Sequence, residues 1–373
     1  MSGKDSSLVS KEALLGTKPG KQIIKQGIFK SKGYRMFSKY KLEAETELPN
    51  LAKRFTDEMY AKIKADDTPI ETLKAFVAET REPEMDLQPS KIDKVKTNLS
   101  DIQVLGDRVM RILDSNFVKM TYPVFNALYD AAAAYDGRDS TLREDMVEGH
   151  ILAIDLSEPM DRIVDKDEDL EYLDDYRLMN PYILQIARKK IKRGGQKVLR
   201  EFEEGFAQAR IGQDVDTILK SKPDKITKEE MIESYKKYRS VMGTAGRNMA
   251  LAKNPLGEIF YSGMAHAAEG VGCGNEMEDS LKHGFIKVPS WPLYYSLSAQ
   301  NIEKGFQLTM AKSDLYLNEA RLAIDAMPKN FTHTDFLNFL FLSVEHYNRY
   351  WYNRITKMSP WKKFESNLPV NLK

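Results

Sequence analysis

The chain has 373 residues, 42% of them hydrophobic, 10% aromatic and 30% charged, which is enough apolar mass for packed cores, too much for a disordered chain, and a length that favours two lobes over one. Fifty-six Lys and Arg against 55 Asp and Glu leave a formal charge of +1, which excludes a protein that is basic throughout and leaves room for local patches. The single cysteine, Cys273, excludes an intramolecular disulfide framework and a cysteine-based zinc site. With no apolar run long enough to span a bilayer and no signal-peptide core near the start, the chain reads as soluble, without membrane insertion and not secreted by the usual route.

Taken from the first residue, charge sorts strongly. Residues 1–42 hold ten Lys or Arg and two acids, a net +8, interspersed with Leu8, Val9, Leu14, Leu15, Ile23, Ile24 and Ile28. A solvated tail has no use for those aliphatics, so an N-terminal arm resting on a neighbouring surface is expected. From Leu51 the apolar residues Phe55, Met59 and Ile63, then Leu73, Phe76 and Val77, recur at helical steps. The pattern returns through Val109, Ile112 and Leu113, through Ile183, Ile186 and Ile191, and through Val198, Phe202 and Phe206. Alternating windows are scarce. The expectation is an all-α fold with an N-terminal helical lobe over 43–222, a C-terminal helical lobe over 223–329 and a second, aromatic-rich arm over 330–373. Breaks are expected near Pro83, Pro89, Pro123, Pro159, Pro181, Pro223, Pro255, Pro289 and Pro328. The helix of the second lobe should open on the capping box Thr227-x-x-Glu230.

Catalytic signatures are weak. The five histidines are dispersed, and no nucleophile elbow or phosphate-cradling lysine loop occurs. Gly270-Val271-Gly272-Cys273-Gly274 reads as a loop ending a helix rather than a nucleotide loop. Asp174-Asp175 could begin a magnesium-binding acid motif of the sort helical prenyl-diphosphate enzymes use, but no third acid follows on the same face.

Charge blocks are the stronger signal. Residues 155–175 hold ten acids and two bases, whereas residues 181–200 hold seven bases and no acid: Arg188, Lys189, Lys190, Lys192, Arg193, Lys197 and Arg200. Several of these share one face of a helix, beside Gly194-Gly195, so the block reads as a ridge for a phosphate backbone. A second acid-free basic window, 235–253, includes Arg247. Two such windows flanking the expected lobe boundary suggest a cleft for an extended single strand, bound without regard to sequence.

Trp291-Pro292-Leu293-Tyr294-Tyr295-Ser296-Leu297-Ser298-Ala299 resembles the central segment of nucleoproteins of non-segmented negative-strand RNA viruses. Lys253-Asn254-Pro255 before Ile259-Phe260-Tyr261 is similar to that family's Asn-Pro helix start, and Tyr316–Leu322, with Arg321, to a stretch that faces RNA. The resemblance covers about Lys253 to Leu322. It implies a non-enzymatic protein whose two lobes clamp single-stranded RNA and whose arms dock on neighbouring copies of the chain. It also implies a viral polymerase or its cofactor as partner, no cofactor, a place in the virion or host cytoplasm, and, for so compact a chain, a fungal or invertebrate lineage. Trp291, Tyr295, Ser296 and Arg321 would join Arg247 and the basic ridge in holding RNA. Two alternatives stand beside it: a cellular helical scaffold or adaptor, and a helical magnesium-dependent enzyme using Asp174-Asp175.

Overall fold

The computed structural model describes residues 31–80, 88–155, 172–222, 225–286 and 288–357. Among them every regular element is helical, as the periodicity predicts. Two compact units divide the chain, Phe37–Arg200 and a second made of Met1–Met36 with Glu201–Lys373.

The first unit holds most of α1 (Lys32–Ala65), then α2 (Pro69–Thr80), α3 (Pro89–Leu99), α4 (Ile102–Leu113), α5 (Asn116–Asp136), α6 (Arg143–Asp155) and α7 (Leu173–Lys192). Local chemistry sets several of the boundaries. The Asp101 carboxylate accepts from the Gln103 backbone N–H at 2.9 Å to open α4, and the Ser115 hydroxyl accepts from Val118 at 3.1 Å to open α5. Gly137, with φ of 69°, ends α5 in the left-handed conformation that a side chain disfavours. Leu105, Val109, Ile112 and Leu113 give α4 one buried face. Helix α7 packs against α6, α2 and α3.

Pro123 and Pro181, where breaks were expected, lie inside α5 and α7. An interior proline costs about 3 kcal/mol in an isolated helix. Here Val118, Tyr122, Val124, Phe125, Leu128 and Tyr129 bury α5 on most sides, and Leu178, Met179, Tyr182, Ile183 and Leu184 do the same for α7. Burial on that scale outweighs one lost hydrogen bond.

In the second unit α8 (Gln196–Lys220), which begins in the first, is followed by α9 (Lys228–Ser234), α10 (Lys236–Met249) and α11 (Leu256–Asp279). A π-helical turn (Ser280–Gly284) leads to α12 (Trp291–Ala299), α13 (Ile302–Asp325) and α14 (Thr334–Lys357). The expected capping box is present: the Glu230 N–H donates to the Thr227 hydroxyl at 3.2 Å, and the Thr227 N–H donates to the Glu230 carboxylate at 3.1 Å. Helix α11 is central and packs against α10, α12, α13 and α14. Small residues permit that crowding. A Cβ on Gly246 would meet Met264 at 2.8 Å, and one on Gly274 would meet Asn348 at 2.1 Å. Gly270–Gly274 therefore lie within α11 at helix crossings, not in the terminal loop expected for them.

Residues 32–42 are helical, as are 334–357, within the spans read as arms. The remainder of both arms, most of the acidic block at 155–175, and Pro83, Pro159 and Pro223 lie outside the described residues.

Candidate functional site

The basic ridge forms the C-terminal turns of α7 and the start of α8, and Arg188, Lys189, Lys190 and Arg193 within it face carboxylates. Arg188 grips Glu79 with both guanidinium nitrogens, one of them at 3.2 Å. Lys189 reaches Glu58 at 2.7 Å, Lys190 reaches Glu148 at 2.7 Å, and Arg193 reaches Asp145 at 2.6 Å. Glu148, only 5% exposed in its side chain, also binds Arg54. Lys192, Lys197 and Arg200 are exposed. The acids come from α1, α2 and α6, so the ridge knits one end of α7 to its neighbours.

The remaining residues assigned to RNA lie in the second unit, dispersed over three helices. Arg247 on α10 pairs with Glu201 at 2.5 Å and Glu258 at 2.8 Å, its guanidinium 4.2 Å from the Tyr261 ring centre. Arg321 on α13 pairs with Glu345 on α14 at 2.5 Å. Trp291 is fully buried, and Ser296, also fully buried, donates to the Pro292 carbonyl at 2.6 Å. Tyr295 is half-buried and stacks on Trp291 with ring centres 5.3 Å apart. Trp291, Tyr295 and Ser296 share α12, but Arg247 and Arg321 are each held elsewhere by acids.

Around Trp291 the structure assembles a polar and aromatic cluster that the sequence reading missed. Tyr235 and Tyr294 meet its ring edge-on, and Tyr316 stacks on Tyr235 with ring centres 6.1 Å apart. The Lys312 ammonium lies 4.6 Å from the Tyr316 ring centre and 5.0 Å from that of Trp291. Beneath the rings the Glu276 carboxylate accepts from the Trp291 backbone N–H at 2.9 Å. Burial pushes Glu276 up to about 8 despite the hydrogen bonds from Trp291 and Tyr235, so at neutral pH it is a carboxylic acid. Burial likewise pushes up the Tyr235 hydroxyl and the Cys273 thiol, 3.7 Å apart. Among the described residues the Trp291 indole N–H has no acceptor. Cys273 and Glu276 fall three residues apart on the apolar face of α11 beside Met277, and an acid at that register was the signal available in the sequence.

The acids proposed for magnesium are engaged otherwise. Asp175 accepts from Arg108 at 2.8 Å and from Asn98, and Asp174 pairs with Lys91 at 3.1 Å and Arg177 at 3.5 Å. Two carboxylates neutralised by cations in this way do not fit a divalent ion. Among the described residues no group of three or more His, Cys, Asp or Glu could hold a metal. His150 and His346 are pushed down to about 4 by burial and are neutral at pH 7.

No protein-family model matches the sequence, and no curated protein matches it. Solved structures do. A geranyltranstransferase from Methanosarcina mazei superposes with a TM-score of 0.51 at 10% identity, covering 80% of this chain and 97% of its own. A geranylgeranyl pyrophosphate synthetase from the archaeon Geoglobus acetivorans gives 0.54 at 11%, covering 77% and 99%. A decaprenyl diphosphate synthase from Rhodobacter capsulatus gives 0.50 at 11%, covering 79% and 99%. The chain has the fold of these helical prenyltransferases. That finding overturns the resemblance to viral nucleoproteins, and with it the non-enzymatic reading and single-stranded RNA, the viral polymerase and its cofactor as partners. The RNA groove expected between two lobes has no support, and ion pairs engage Arg188, Lys189, Lys190, Arg193, Arg247 and Arg321, which had been given to phosphates. Of the alternatives, a helical enzyme agrees with the fold, although not through Asp174-Asp175.

Proposed function

We propose that this chain is an enzyme acting on an isoprenyl diphosphate. One observation carries the reading: its helices reproduce 97–99% of the length of three proteins named for prenyl-diphosphate chemistry. The aromatic cluster of the second unit supports it, because a prenyl chain needs an apolar wall and half-buried Tyr238, Tyr294, Tyr295 and Tyr316 supply one around Trp291. A neutral Glu276 beneath that wall keeps charge away from a hydrocarbon. Since Asp174 and Asp175 do not fit a metal, no step is assigned to one.

The test is turnover. Purified protein is incubated with geranyl or geranylgeranyl diphosphate and radiolabelled isopentenyl diphosphate in magnesium buffer, and labelled lipid is extracted and sized. The expected result is a labelled product longer than the added primer. Absence of labelled product from either primer, together with no calorimetric binding of either, overturns the proposal.

A further inference from the structure

The first unit holds a pocket of about 320 Å³ between α1 and the junction of α4 with α5, the volume of about ten water molecules. Its wall is apolar. Ala44 and Leu48 on α1 and Leu113 on α4 line it with buried side chains, and Pro49 and the 39% exposed Met110 close its sides. Elsewhere the two helices lie close, since a Cβ on Gly106 of α4 would be 3.8 Å from the Thr56 side chain of α1. Beyond Gly106, at Met110 and Leu113, the space between them is open. A space of that size and lining fits one large apolar group, oriented by a few polar ones.

Three polar groups at the mouth decide the chemistry of that ligand. Lys41 and Glu45 stand four residues apart on one face of α1, both exposed, and among the described residues neither has an ion-pair partner. Lysine preceding glutamate is the poorer order for pairing along a helix. The third group is a backbone acceptor. Pro49 lies inside α1 and has no N–H, so the Glu45 carbonyl lacks the amide donor that an α-helix supplies from four residues on. On the opposite rim Lys119 and Asp114 satisfy each other at 2.7 Å. One open ammonium therefore stands beside two acceptors of a single residue, over an apolar wall. An aliphatic acid would answer Lys41 but meet the Glu45 carboxylate with like charge, and an aliphatic amine would answer Glu45 but repel Lys41. A zwitterion answers both. An α-amino acid carries its carboxylate, its ammonium and its side chain on one carbon, matching Lys41, Glu45 and the wall in turn.

We propose that this pocket binds a free apolar α-amino acid, with its side chain against Leu48, Met110 and Leu113, its carboxylate on Lys41, and its ammonium on the Glu45 carboxylate and carbonyl. None of these residues belongs to the aromatic cluster of the second unit, so this binding is independent of the proposed catalysis.

Saturation-transfer NMR titrations of the full chain with L-leucine, L-methionine and L-phenylalanine test it. At least one should bind saturably, and glycine, which lacks the side chain, should not. The N-acetyl and carboxamide derivatives of the tightest binder each remove one charge. Each should bind at least about tenfold more weakly, the loss of one hydrogen bond to a charged group. Lys41→Ala and Glu45→Gln should each weaken binding of the amino acid by the same factor. Both side chains are exposed, so the melting temperatures of the unliganded variants should match that of wild type. No saturable binding by any of the three amino acids overturns the proposal. Hexanoate or hexylamine binding as tightly as the amino acid overturns it as well, because a single charge would then suffice, as does unchanged affinity in Lys41→Ala and Glu45→Gln.

Discussion

The end of α7 in the first unit and the crossings of α11 in the second are both crowded, but by different means. At α7 the contacts are long and charged, with Arg188, Lys189, Lys190 and Arg193 reaching acids on three other helices. At α11 and its neighbours they are short and mostly apolar: glycines let the helices approach until the buried Glu276 and a set of aromatic rings close the space. Flexible exposed ion pairs tolerate loss of a partner, whereas a packed interior does not. The comparison therefore makes graded predictions about which substitutions the protein survives.

The largest effect is expected at Trp291. Replacing this fully buried indole by alanine should destabilise the protein by about 3–5 kcal/mol in a denaturant titration. A loss below about 1 kcal/mol would mean that the ring does not hold α12 to the core.

Glu276 should give the next largest effect, and it has a sign. Its folded value of about 8 lies above the ordinary 4.5, so between those values the folded state holds a proton that the unfolded state has released. Stability contributed by the neutral acid is complete below about pH 4.5, declines as pH rises, and is gone above about pH 8, at up to roughly 1.4 kcal/mol per pH unit. Glu276→Gln keeps an acceptor for the Trp291 N–H but cannot ionise. Melting temperatures of wild type should fall from pH 5 to 8 more steeply than those of the variant. Parallel profiles would remove Glu276 from the buried set.

A smaller loss, about 1–3 kcal/mol, is expected for Gly305→Ala, because the added methyl would lie 1.9 Å from the Ser296 hydroxyl and 2.7 Å from the Pro292 carbonyl and force α13 away from α12. Thermal unfolding measures it. An unchanged melting temperature would show that these two helices are not in close contact.

The smallest effect belongs to the charged region. Lys189→Ala and Arg193→Ala remove exposed partners, with side chains 72% and 63% exposed, of Glu58 and Asp145, and each should change stability by less than about 1 kcal/mol. A larger loss would make the pairing at α7 comparable with the packing at α11 and erase the contrast between the two regions.

These regions also show what the sequence could reveal. Helical steps through Leu51–Ile63 and Val109–Leu113, and the Thr227–Glu230 cap, act over a few residues and were legible. The environment of α7 was not. A row of cations has the same spacing whether it faces phosphate or carboxylate, and its partners Glu58 and Glu79 stand more than a hundred residues earlier in the chain. Trp291 and Tyr295 misled for a related reason, since an aromatic run suits a ligand face and a core equally well. Gly270–Gly274 read as a helix end because their use, close approach of α10, α13 and α14, depends on helices distant in sequence.

The most direct measurement is a titration of the purified full chain with geranylgeranyl diphosphate in magnesium buffer, followed by calorimetry and by melting temperature, with a single-stranded RNA oligonucleotide run in parallel. A ligand that binds only the folded state raises the melting temperature as its concentration exceeds the dissociation constant. The account predicts saturable heat and a rising melting temperature with the diphosphate, and neither with RNA. Stabilisation by RNA with no response to the diphosphate would contradict it.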